Sequence, residues 1–228
     1  MSEMTRQVSL ASEETKKRYT LWNWFEIVLI AILFALILRA YVFQAYRIPS
    51  TSMEDTLLVG DFLLGEKITF RVRPPEPGEL VIFKYPLNPD KSFIKRCIAI
   101  EEDTVVIRDK VLYVNGIPYP DPEDTKYFDP RILPAIYSNR DNFGPNVVPK
   151  GHIFVLGDNR DNSQDSRYWG FLPLTDLEAR PLITYFSWAP DPSAPEIYSP
   201  LSYIMLFFHN LFHFPSRTRW ERIGRSVW

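Results

Sequence analysis

Ser50 and Ser52 lie in the stretch RIPSTSMEDTL, two hydroxyls with one residue between them, flanked by Pro49 and Met53. A serine hydroxyl is a poor nucleophile near neutral pH and needs a positioned base to take its proton. The candidates for that base are His152, His209, His213, a carboxylate or a lysine. His152 lies in KGHIFVLGD, where the alternation is that of a strand, and a half-buried strand histidine is more often structural than catalytic. His209 and His213 are at helical spacing in an aromatic segment and read as packing residues. Lys95 lies in FIKRCIAIEED, among Phe93, Ile94, Cys97 and Ile98. On a strand, Lys95 and Cys97 share one face, and Ile94, Arg96 and Ile98 the other. Lys95 is then either a solvated strand lysine or one held in apolar surroundings. In the second case desolvation lowers its pKa toward neutrality, and it can accept the serine proton and pass it to a leaving amine.

A third stretch, GDNRDNSQDSRYWGFLP at 157–173, has the composition of a loop knitted by side-chain to backbone hydrogen bonds. Asp165 and Arg167 are spaced to pair within it, and Ser163 to donate or accept at a buried lysine. Its alternating oxygens resemble a calcium loop but lack the Gly and closing Glu of an EF-hand. Three histidines and one cysteine give no zinc-type spacing. Neither a metal nor another cofactor is expected.

These residues need a frame. The chain has 228 residues, enough for one large domain or two small ones, and its 46% apolar and 24% charged residues suit a globular core. A formal charge of -2 gives no pull toward nucleic acid, and none is expected as a partner. The 20 prolines cluster at 74–77, 118–134 and 190–200, which marks loops and argues against an all-helical body. The single cysteine, Cys97, excludes an intrachain disulfide.

Residues 22–43 are apolar apart from Asn23, Glu26 and Arg39 near the ends, and about 20 such residues suffice to cross a membrane. Trp22, Trp24 and Tyr41 suit the interfaces. A buried core helix or a cleaved signal peptide would fit less well: no small-x-small site follows soon after. The expectation is a retained single-pass anchor at 21–43. A mobile polar segment at 1–20, with Arg6, Lys16, Lys17 and Arg18, would lie on the cytoplasmic side, and 44–228 outside.

The outer part reads as β. Strands are expected at 62–70, 79–86, 152–158 and 180–188, with a strand pair around Asp109-Lys110 in 104–119 and an Asn-Gly turn at 115–116. Residues 118–146 read as a surface insertion. The end, SYIMLFFHNLFHF followed by RTRWERIGR, reads as a strand or short helix covering the core. The alternative is an apolar edge dipping into a bilayer, with Arg217, Arg219, Arg222 and Arg225 at the headgroups.

Taken together and in order, RIPSTSMEDTL, GDFLLGEK, FIKR and GDNRDNSQDSRYWG after an N-terminal anchor resemble the bacterial type I signal peptidases, a serine/lysine family. The likeness runs from about residue 20 to the closing RTRWERIG. It implies a mostly β fold: an antiparallel-sheet catalytic domain with a smaller inserted β region, preceded by one transmembrane helix. By resemblance Ser52 is the nucleophile, Lys95 the general base and Ser50 an oxyanion donor beside the Ser52 backbone N–H. Ser163 would orient Lys95, with Asp158, Arg160, Asp165 and Arg167 supporting the loop. Ile48, Pro49, Met53, Leu57 and Ile94 would wall shallow pockets for the small residues of an Ala-x-Ala site. The implied partners are signal peptides of exported preproteins, membrane lipid and, as a further candidate, the export machinery. The implied location is the bacterial inner (cytoplasmic) membrane with the catalytic domain outside.

Two departures stand out. IAIEED replaces the Gly-Leu-Pro-Gly-Asp type of turn that often follows the lysine box, and Ser92 stands where some relatives carry an acidic residue. A non-enzymatic anchored β module would not need Ser52 and Lys95 together. A soluble Ser/Lys self-cleaving repressor would lack the anchor and would need a basic DNA-reading helix.

Overall fold

The computed structural model describes residues 2–227, with side chains for 22–199 and 201–227. Its contacts divide into two units, Met1–Phe43 and Gln44–Trp228. The first is the helix α1 (Ser2–Tyr41). Within it Trp22–Tyr41 is long and apolar enough to cross a membrane and is unburied along its length, which fits a membrane-anchored protein. The expected cytoplasmic, mobile segment at 1–20 falls on residues whose side chains lie outside the described ones; the backbone of α1 runs through them from Ser2.

The second unit is β-rich. In chain order its elements are β1 (Phe43–Arg47), β2 (Asp61–Glu66), α2 (Thr69–Val72), β3 (Leu80–Tyr85), β4 (Asn88–Ala99), β5 (Thr104–Arg108), β6 (Val111–Val114), β7 (Ile117–Pro118), β8 (Phe143–Val147) and β9 (His152–Leu156). Then come α3 (Ser166–Trp169), β10 (Leu172–Pro173), β11 (Leu177–Ser187), α4 (Pro200–Phe212) and α5 (Phe214–Arg217). One sheet runs β1-β2-β11-β3-β4-β9-β10 and a smaller one β7-β6-β5-β8. The smaller sheet is inserted between β4 and β9, so the expected mostly β architecture with an inserted region is what forms.

Local chemistry explains the turns. Both residues of the Asp109-Lys110 pair and of Asn115-Gly116 have positive φ, as two-residue hairpins of matching twist require. The Lys110 side chain is itself anchored, its Nζ donating to the Asp129 carbonyl at 2.6 Å and to Asp161 Oδ1 at 2.7 Å. The strand expected at 62–70 ends early, at Glu66. The Glu66 carboxylate accepts from the backbone N–H of Ile68 and Thr69, and those two bonds turn the chain into α2.

Residues 118–146 are more than a surface insertion. Asp129, Arg140 and Asp141 are buried, and Arg140 bridges the two carboxylates. The C-terminal segment forms a helix, α4, one of the two forms expected for it, opened by a capping box between Ser199 and Ser202. It does not cover the core: most of its large apolar side chains are exposed. Three of the arginines that follow are engaged within the domain. Arg222 is buried on Asp61, Arg219 bonds the Ser187 hydroxyl and the Val59 carbonyl, and Arg217 holds the Ala189 carbonyl and Asn210.

Candidate active site

β4 is the element that presents Lys95. Its partner β3 pairs Val81 with Lys95 and Phe83 with Phe93, so these side chains share a face with Cys97. That face is apolar: Val81, Phe83 and Cys97 are buried together with Val155 and Leu172. Lys95 is only 2% exposed, and its Nζ lies 5.7 Å from the Phe93 ring centroid. Burial pulls its pKa down to about 8, against the opposing charges of Asp165 and Asp158 and with help from Arg167. This is the desolvated lysine of the two alternatives, not the solvated one.

The serine turn approaches from the other side. Lys95 Nζ donates to Ser52 Oγ at 2.5 Å. Ser50 Oγ lies 3.4 Å from Ser52 Oγ on the exposed rim. The turn is held by the 157–170 loop. Asn159 N donates to the Ser52 carbonyl, the Asn159 amide to the Thr51 carbonyl and to Glu54, and Asn162 to the Thr51 hydroxyl.

That loop is itself braced by buried charge. Arg167 grips Asp165 with two parallel bonds of 2.8 Å, and Asp165 accepts from the Gly157 N–H. Burial alone would raise the Asp165 carboxyl, but Arg167 holds it below its ordinary range. Asp158 is fully buried and takes Arg96 in a fork at 2.9 and 2.6 Å, together with the Thr56 hydroxyl at 2.6 Å. Arg160 points away from this frame, to Asp121 and Tyr127, and so ties the 118–146 segment to the loop. Ser163 is buried, and its Oγ makes no hydrogen bond to Lys95. His152 bonds the Lys150 carbonyl and lies outside the cavity at Ser52, which no histidine lines. Among the described residues no group of three or more His, Cys, Asp or Glu is placed to hold a metal.

The cavity beside Ser52 and Lys95 holds about 110 Å³. Ile48, Pro49, Met53 and Ile94 line it, with Tyr46, Leu63, Ile82 and Phe93 as further walls. Leu57 lies instead in the buried cluster with Met53 and Leu80. Sequence reasoning missed Arg96, Thr56 and Asn159. The one signal for them was the surplus of carboxylates and amides in the loop, which had to find partners elsewhere.

Gly157 has no room for a side chain: a Cβ there would strike Ser163 Oγ and the Ser52 carbonyl. We expect Gly157→Ala to cost about 1–3 kcal/mol in stability. It should also lower kcat more than it raises KM, because the collision displaces the turn that carries Ser52. Thermal unfolding and steady-state kinetics check the two effects.

A hydroxyl hydrogen-bonded to a lysine whose ammonium burial has made more acidic, at the wall of a small apolar cavity on a β frame, is the layout an amine-assisted serine hydrolase requires. The comparisons with known proteins point the same way. Residues 21–186 match the family described as "Signal peptidase, peptidase S26". A signal peptidase I of Aquifex aeolicus is 35% identical, covering 88% of this chain and 95% of its own. A probable signal peptidase I-2 of Synechocystis is 35% identical over 80% of this chain and 83% of its own. The chloroplastic thylakoidal processing peptidase 1 of Arabidopsis thaliana is 34% identical over 86% of this chain and 54% of its own. The chain belongs to the signal peptidase family, peptidase S26. It is on that ground a peptidase of the signal-peptide-cleaving class.

Proposed function

We propose that the chain is a membrane-bound serine endopeptidase that removes signal peptides from exported preproteins after Ala-x-Ala type sites, with Ser52 as nucleophile and Lys95 as general base. The single observation that carries this is the 2.5 Å contact between Lys95 Nζ and Ser52 Oγ, made by an amine that is 2% exposed. In the neutral form Lys95 takes the Ser52 proton as Oγ adds to the scissile carbonyl. The resulting ammonium then protonates the leaving amine, and the acyl group remains on Ser52. Neutral again, Lys95 activates the water that releases the acyl group. Ser50, whose Oγ lies 3.4 Å from Ser52 Oγ, would donate to the developing oxyanion. Ser163 would have to turn its hydroxyl to reach Lys95.

The shape of the cavity supports the choice of small side chains. The unburied apolar span of α1 supports anchoring, which would keep enzyme and membrane-bound substrate on one surface and raise their effective concentration. The basic residues of the leading segment favour a cytoplasmic N-terminus and a catalytic domain outside the bacterial cytoplasmic membrane. The partners are then preprotein signal peptides and lipid, with the export machinery adjacent.

The test is the cleavage of a preprotein segment bearing Ala-x-Ala, with products identified by mass. Cleavage is expected after the second alanine. Replacing that alanine with phenylalanine should lower kcat/KM by about 10²-fold, since a ring is far bulkier than the methyl group for which the small cavity is proposed. Efficient cleavage of the phenylalanine substrate would overturn the specificity. The pH profile is a separate test. The base is neutral above its pKa of about 8. Activity should therefore climb by about tenfold per unit below that pH and level off above it. The limb should persist in His152→Ala; its disappearance there would assign the base to histidine.

A further inference from the structure

Helix α4 is inside out. Its polar side chains face the domain: Ser202 is buried in the capping box, His209 Nε2 meets Asp191 Oδ2 at 2.8 Å, and Asn210 Oδ1 accepts from Arg217 Nη1 at 2.9 Å. Its outer face is Leu201, Ile204, Met205, Phe207, Phe208 and Leu211, each between 48% and 64% exposed. A surface helix of a water-soluble domain has the reverse pattern, apolar stripe inward and polar face outward. A contiguous exposed apolar face of this kind marks an interaction surface.

The occupant can be argued from the helix itself. Its ends are partly capped: the Ser199–Ser202 capping box takes a backbone donor at one, and His213 Nδ1 contacts the His209 carbonyl at the other. Such caps reduce the number of open backbone groups the helix would carry to a lipid interface, where water and headgroups can meet the rest. Its 13 residues extend about 20 Å, too short to span a hydrocarbon core of about 30 Å. Tyr203 on the helix and Tyr198 just before it are exposed amphipathic aromatics, of the kind found at a lipid–water boundary. The same chain carries the apolar span Trp22–Tyr41, so a bilayer is the apolar phase available to it. The neighbouring arginines are engaged with Asp61, Asp124, Asn210 and carbonyl oxygens, and so the contact needs no anionic headgroup.

We propose that α4 is a second, monotopic membrane attachment, lying in the interface with its outer face among acyl chains. α4 follows the Trp188 end of β11. There Trp188 N donates to the Gly60 carbonyl, and Gly60 N donates to that of Ile48, a wall of the cavity. Embedding α4 therefore holds the cavity rim close to the lipid surface. The proposal does not depend on the peptidase chemistry, and its test reads depth, not cleavage.

The experiment uses the full chain in phosphatidylcholine vesicles, with an environment-sensitive fluorophore on Phe207→Cys. A second labelled variant is Leu211→Cys, and Ile117→Cys on β7 is the exposed control. Cys97 is fully buried, so labelling is directed to the introduced thiol. The expected result is blue-shifted emission at 207 and 211, quenched several-fold by brominated lipid and little by aqueous iodide, with the opposite at 117. Quenching of both α4 positions by iodide would overturn the proposal in favour of a solvated helix. Protection from both quenchers would overturn it in favour of a protein cover, such as a second copy of the chain.

Discussion

Replacing Lys95 with methionine or with arginine should abolish peptide cleavage, lowering kcat on the order of 10⁴-fold or more, as loss of a nucleophile–base unit does. The two variants answer different questions. Methionine keeps the length and the packing against Phe93 and Val81 but has no basic nitrogen. It also removes an amine whose burial is costly, so Lys95→Met should unfold at the same temperature as the wild type or higher. Arginine keeps the charge but stays protonated at every accessible pH, and so cannot take a proton. Ser52→Ala should match both losses, and Ser52→Ala/Lys95→Met should be no worse than either alone, because the residues act as one unit. Single-turnover assays with circular dichroism as a folding control check this. Retained activity in Lys95→Arg would mean that the lysine supplies charge and not a base. Retained activity in Lys95→Met would remove Lys95 from the chemistry.

How much of this was legible in the sequence follows from the kind of interaction involved. The Asn-Gly turn at 115–116 and the strand pair about Asp109-Lys110 are local, set by residues that accept positive φ, and they form where expected. The alternation around Lys95 correctly placed it on one face with Cys97. It could not say whether that face was wet, since the cover includes β9, far along the chain from β4. The Asp165–Arg167 pair was legible because its members are two residues apart. Arg96–Asp158 was not, because 62 residues separate the partners and only the sheet brings them together. The failures share a cause. The strand expected at 62–70 stops when Glu66 finds nearby backbone donors, and the end of the chain breaks the rule that apolar segments cover the core. Hydrophobic period shows that α4 is apolar but not which phase it faces.

The buried pair of the 157–170 loop carries the second large expectation. Asp165 is fully buried and Arg167 nearly so, and each is the other's only opposite charge within salt-bridge distance among the described residues. Asp165→Ala leaves a guanidinium facing only the Arg140 and Arg160 carbonyls. It also removes the cap of α3 and the acceptor for Gly157. Arg167→Met leaves a carboxylate that still has the Gly157 and Arg167 backbone donors. Both should destabilise by about 3–5 kcal/mol in chemical denaturation, with Asp165→Ala the worse. The double variant Asp165→Ala/Arg167→Met should cost less than the two together by about 0.5–3 kcal/mol, since it leaves no uncompensated charge. The consequence for catalysis runs through Gly157 and Asn159, the backbone that holds Ser52. Even under conditions where Arg167→Met remains folded, its kcat should fall while the pH limb set by Lys95 shifts upward, because Arg167 helps to depress that lysine. A limb that does not move would mean that Arg167 braces the loop without reaching the electrostatics of the site.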